Sequence, residues 1–146
     1  MGRELRGKSI NEFRSKSFYM DGSLVSEHLM LFFGIEGVWY SVTIVDGVVN
    51  LKREDAEPAL TEDFDKDFFY PISNVEILKK YAGLKVNAVS VYKIPEIDNG
   101  ILGLYISYGS FGFSYYNVDD FSYIADGFVE MPSKYPVLAE YRLSLP

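Results

Sequence analysis

Apolar and polar residues alternate most cleanly from Val38 to Val45, where Val-Trp-Tyr-Ser-Val-Thr-Ile-Val puts Val38, Tyr40, Val42 and Ile44 on one face and Ser41 and Thr43 on the other. A two-residue period in a β-branched, aromatic run predicts a half-buried strand. Asp46-Gly47 follows, a pair that tolerates the positive φ of both central positions of a type I′ turn, and Val48–Arg53 returns beside it. Gly34–Gly37 predicts an earlier turn. Before it, Leu-Met-Leu-Phe-Phe favours a buried strand over His28–Phe33, with a helix capped by Ser23 as the alternative.

Helical signals are sparse. Ser73 and Glu76 have capping-box spacing, which predicts a helix over Asn74–Ala82. Ile72 and Ile77 would staple its start, Lys79 and Lys80 occupy its last turn, and Gly83 suits the left-handed position beyond. Ser9 and Glu12 suggest a shorter helix from Ile10, and residues 1–8 read as a flexible basic arm. Further strands are predicted over Lys85–Lys93, Ile101–Tyr108, Phe111–Tyr116, Phe121–Ile124, Phe128–Met131 and Val137–Leu143, with Asp126-Gly127 as a turn. The fold class expected is α+β in one domain over all 146 residues. It consists of a mainly antiparallel, strongly curled sheet (a half-barrel or meander) with one or two short helices on one face.

Composition adds two features. Twelve tyrosines and eleven phenylalanines give 16% aromatic content, concentrated between Leu104 and Tyr123. The net charge is -7. The first twenty residues oppose this trend with five basic against two acidic side chains, while residues 21–146 hold nine basic and nineteen acidic ones. So acidic a body repels phosphate backbones and attracts basic proteins. Absence of cysteine excludes disulfides and thiolate chemistry and favours a reducing compartment. No signal-peptide pattern precedes the first strand and the longest apolar run, Leu29–Phe33, is far too short to span a bilayer. A cytoplasmic protein with no nucleic-acid or membrane partner is expected.

Catalytic and metal signatures are incomplete. His28 is the only histidine, without a nucleophile elbow or companion ligands. Asp63, Asp65 and Asp67 imitate the opening of an EF-hand loop, but Phe68 stands where glycine is needed and Asn74 where a bidentate glutamate is needed. Asp119, Asp120 and Asp126 lie among Tyr115, Tyr116, Tyr123 and Phe128, a grouping that a carboxylate pair acting on sugars would require. Adjacent acids at strand ends are more commonly turn formers. Gly100, Gly103, Gly109 and Gly112 sit in strand-like sequence rather than before a helix, so they read as bulges or close approaches, not a phosphate cradle. No cofactor is expected.

The surface left for function combines an acidic run and aromatic strands. Glu54, Asp55, Glu57, Glu62, Asp63, Asp65 and Asp67 form an exposed loop with a single Lys66, and Tyr105, Tyr108, Tyr115, Tyr116 and Tyr123 are candidate anchors. Rings and carboxylates together suit Arg and Lys side chains of a basic protein. In overall composition the chain resembles small acidic immunity proteins that neutralise basic bacterial toxins, including nucleases. That resemblance implies inhibition by occlusion, with no bond made or broken. A small-molecule or glycan-binding β domain, hydrolytic or not, and a self-assembling structural subunit are the alternatives.

Overall fold

A computed structural model gives the fold and describes residues 3–61, 68–94, 97, 99–130 and 138–146, the side chains of 68 and 138 aside. In chain order the strands are β1 (Arg3–Glu4), β2 (Glu12–Met20), β3 (Ser23–Ile35), β4 (Val38–Val45), β5 (Val48–Arg53), β6 (Phe68–Phe69), β7 (Ile72–Asn74), β8 (Ala88–Lys93), β9 (Ile101–Ser107), β10 (Gly112–Val118), β11 (Phe121–Asp126), β12 (Leu138–Glu140) and β13 (Ser144–Leu145). They form three antiparallel sheets. One is ordered β5-β4-β3-β2-β6 with β7 also on β2, one is β11-β10-β9-β8-β12, and one is the pair β1-β13.

The two large sheets share one core. Phe13, Leu31, Phe33, Tyr40, Val42 and Ile44 come from the six-stranded sheet, and Val89, Val91, Leu104, Ile106, Phe113 and Tyr115 from the five-stranded one. Each set follows the period-two face of its strands, so alternation in sequence becomes burial. Phe13 meets Phe113 edge to face at 5.4 Å across the gap. The Tyr115 hydroxyl donates to the carbonyls of His28 (3.1 Å) and Leu29 (3.3 Å), tying β10 to the opposing sheet.

The mainly antiparallel β architecture expected from sequence is present, but among the described residues no sheet is strongly curled and helix is almost absent. Two sheets that bury their apolar faces against each other have no need to close on themselves. The helix expected over Asn74–Ala82 is a six-residue 3-10 helix, Glu76–Tyr81, with no side-chain cap. Ser73 fails to cap because it pairs with Ser15 in the β7–β2 ladder, and Ile77 is exposed rather than stapled to Ile72. Leu78 and Tyr81 still pack inward, and Gly83 takes the expected left-handed φ of +82°. The helix expected at Ile10 is extended chain; Ser9 bridges Lys85 and Ile10 is buried.

Residues 3–8 are part of the fold rather than a flexible arm. β1 pairs with β13, Leu5 is 1% exposed, and its N–H donates to the Leu143 carbonyl at 2.9 Å. The three arginines of this end pair within the molecule: Arg3 faces Glu36, Arg6 faces Glu4 and Glu140, and Arg14 faces Glu12 and Glu57. The Val38–Arg53 hairpin forms with the expected register about Asp46-Gly47, whose φ values are +51° and +77°. The strand preferred over His28–Phe33 is longer, β3. Phe128 does not begin a strand; after Gly127 the chain leaves the β10–β11 hairpin and crosses the outer face of its sheet.

Candidate functional site

The outer face of the six-stranded sheet is already covered. Arg14, Phe32, Trp39 and Ser41 project from it, and the segment 54–61 folds across them. The Arg14 guanidinium lies 4.6 Å from the Trp39 ring centroid and donates to the Pro58 carbonyl at 2.6 Å and to Glu57 at 3.0 Å. Glu54 accepts from the Ser41 hydroxyl at 2.7 Å. Of the sequence-predicted acids, Glu54 and Glu57 therefore pin their own loop down, Asp55 is exposed, and Glu62, Asp63, Asp65 and Asp67 lie outside the described residues. Trp39 is the only tryptophan, so it reports on this cover. Arg14→Ala is expected to shift Trp39 emission to the red and to lower stability by about 2 kcal/mol, mainly through lost packing and the Pro58 bond. Unshifted emission would show that the segment stays closed without Arg14.

The five-stranded sheet differs. Its outer face carries Tyr92, Tyr105, Tyr116 and Tyr123 around Gly103, in the register Tyr92–Gly103–Tyr116–Tyr123. Tyr92 and Tyr105 are buried in a small second cluster with Leu102, Tyr116, Val118 and Val129. The segment Gly127–Glu130 covers this end: Phe128 stacks on Tyr105 at 4.1 Å, and the Val129 N–H donates to the Tyr92 hydroxyl at 3.1 Å. The other end is open. Tyr116 and Tyr123 stack at 5.4 Å, Tyr123 is 44% exposed, and Phe121 is 41% exposed.

The five tyrosines proposed from sequence thus separate. Tyr116 and Tyr123 reach the outer surface, Tyr105 lies under Phe128, Tyr115 is 1% exposed in the main core, and half-buried Tyr108 stacks on Tyr81 at 5.0 Å. Burial raises the phenol pKa of Tyr105, Tyr115 and Tyr116. Tyr105 and Tyr115 are buried, because alternation put one ring in each of two apolar layers.

Asp119 and Asp120 close the β10–β11 hairpin, both at positive φ (+52° and +67°). The three other two-residue hairpin turns, Asp21-Gly22, Glu36-Gly37 and Asp46-Gly47, all place glycine second. Only this one keeps a carboxylate where glycine has no steric cost. Among the described residues no ion pair involves Asp119, Asp120 or Glu130. A sequence signal for this surface exists and lies in cations, not acids: the forty residues from Ile94 to Ser133 contain no Lys, Arg or His and six acidic residues.

Asp126 stands apart. It sits opposite Phe113 on the core-facing side, accepting from Tyr81 and Lys80, and these bonds, Lys80's first, hold its carboxyl below the usual range. Six residue steps along β11 separate it from Asp120 by about 20 Å at ~3.3 Å per residue. A glycosidase pair needs roughly 5–9.5 Å, so these acids do not converge. His28 Nδ1 lies 3.0 Å from the Ser15 hydroxyl, and burial lowers the imidazole pKa against a smaller opposing effect of Glu27. Ser15 is sealed in the interior, which makes this a structural hydrogen bond. Among the described residues no group of three or more His, Cys, Asp or Glu side chains is arranged to hold a metal, and no helix is long and apolar enough to cross a membrane.

No protein-family model matches the chain, and no curated protein and no solved structure matches it. Among the described residues, the outer face of the five-stranded sheet combines exposed rings with carboxylates that make no ion pair.

Proposed function

We propose that the protein is a non-enzymatic acidic binding protein, an inhibitor or immunity protein that neutralises a basic protein by covering its functional surface. The observation that carries this reading is the juxtaposition of Phe121, Tyr123 and half-buried Tyr116 with Asp119 and Asp120, which form no ion pair among the described residues, within a stretch free of basic residues. Exposed rings supply contact area at little entropic cost, and carboxylates beside them favour Arg and Lys over neutral or acidic partners. The remaining net charge, including the acids of residues 54–67, adds to the field that steers such a partner inward. Inhibition is then steric. The bound surface excludes the partner's own substrate, a polyanion such as RNA if the partner is a nuclease. A cytoplasmic location is part of the reading and fits a chain without cysteine.

The test is co-expression with the product of the adjacent reading frame, which this reading expects to be a basic, toxic protein. Expected is relief of any growth arrest that this protein causes alone, and a stoichiometric complex on size exclusion that weakens as salt rises. Persistent arrest with both chains migrating separately would reject the reading.

A further inference from the structure

We infer that the element this surface takes from its partner is an arginine side chain, its guanidinium lying on the Tyr116–Tyr123 pair with the Asp119-Asp120 turn as its counter-charge. The inference rests on the basic-partner reading and specifies its chemistry.

The molecule itself shows how a guanidinium settles on a sheet's outer face. On the six-stranded sheet Arg14 lies over Trp39, its N–H groups directed to a carboxylate and a carbonyl. Cation–ring contacts are also made by Lys16 over Phe32 and by Lys80 over Tyr81. Among the described residues no such contact uses a ring on the outer face of the five-stranded sheet. The chain has no cation of its own to supply there from Ile94 to Ser133. The ingredients are otherwise alike: a partly exposed ring platform, and, at the turn that Val118 and Phe121 close, carboxylates without an ion-pair partner among the described residues.

Arginine fits better than lysine for a physical reason. A planar, weakly hydrated guanidinium stacks flat on a ring and still presents its edge N–H groups to carboxylates, whereas an ammonium must shed tightly held water to approach the ring. A carboxylate's two oxygens also match the forked donor geometry of a guanidinium.

The test uses the full chain at low salt and follows the ring NMR signals of Tyr116 and Tyr123. The probes are a capped Gly-Ser peptide carrying three arginines, its three-lysine counterpart and a β-1,4-linked glucose hexamer. Saturable shifts with the arginine peptide, bound roughly threefold or more tightly than the lysine one, are expected. They should vanish in Tyr123→Ser and weaken in Asp119→Asn/Asp120→Asn, which keeps turn-compatible residues and so guards against misfolding. Unmoved ring signals, equal response to lysine, or a response to the sugar alone would overturn the inference. The two levels separate cleanly. A basic protein that binds Tyr123→Ser as well as it binds the parent overturns this assignment and leaves the binding-protein reading standing. Failure of the co-expression test removes that reading itself.

Discussion

Gly112→Ala is expected to destabilise the protein by about 3 kcal/mol or more, enough to abolish cooperative unfolding in a marginal domain. A Cβ at this position would press into the Ile106 carbonyl oxygen and lie 2.7 Å from the Tyr105 hydroxyl oxygen. The first of these is backbone in the paired β9 strand and cannot rotate away. Gly112 also organises three elements, since its carbonyl accepts from the Tyr81 hydroxyl at 2.7 Å and from the Gly127 N–H at 2.8 Å. Moving it disturbs the 3-10 helix and the covering segment together. Gly109→Ala is the control: its φ is +111° but nothing lies within 4 Å of the added carbon, so a loss of only about 1 kcal/mol is expected. Urea melts of the two variants check the contrast. Comparable losses would mean that the close packing around Gly112 relaxes freely.

The second large effect has opposite signs on stability and binding. Asp119→Asn/Asp120→Gly converts the β10–β11 turn to the pair that a type I′ hairpin favours. Both native φ values are positive, so relief of strain should raise stability by roughly 0.5–1 kcal/mol, about 2–4 °C in Tm. The same change removes two negative charges beside Phe121 and Tyr123, and association with a basic partner should slow by about tenfold at low salt. A residue kept only for folding would be improved in every respect by this substitution. Higher Tm with unchanged association would mean that the two aspartates are turn formers and nothing more.

Strands with strict alternation were legible in the sequence because burial on one face writes itself into a two-residue period. The Val38–Arg53 hairpin and its Asp46-Gly47 turn followed directly. The helix over Asn74–Ala82 was misread because Ser73 and Glu76 match a cap locally, while the β7–β2 ladder claims Ser73 for pairing. Local propensity lost to tertiary pairing there, as it also did at Ile10. At the site, both faces of the five-stranded sheet are aromatic, so spacing alone could not tell Tyr115 in the core from Tyr116 outside. The acidic run was conspicuous as charge, yet Glu54 and Glu57 serve Ser41 and Arg14, partners distant in sequence. The informative pattern was the absence of cations over Ile94–Ser133, readable from the chain without any structure.

Association rates across a salt series, comparing two charge-neutralised variants with the parent chain, test the central claim most directly. One variant is Asp119→Asn/Asp120→Gly at the aromatic face; the other is Asp55→Asn/Asp63→Asn/Asp65→Asn in the acidic run. The aromatic-face variant should be slowed about tenfold at low salt, and the difference from the parent should close near 1 M salt, while the loop variant stays within about threefold of the parent. A slow loop variant beside an unaffected aromatic-face variant would make the acidic run the partner's contact and contradict the account.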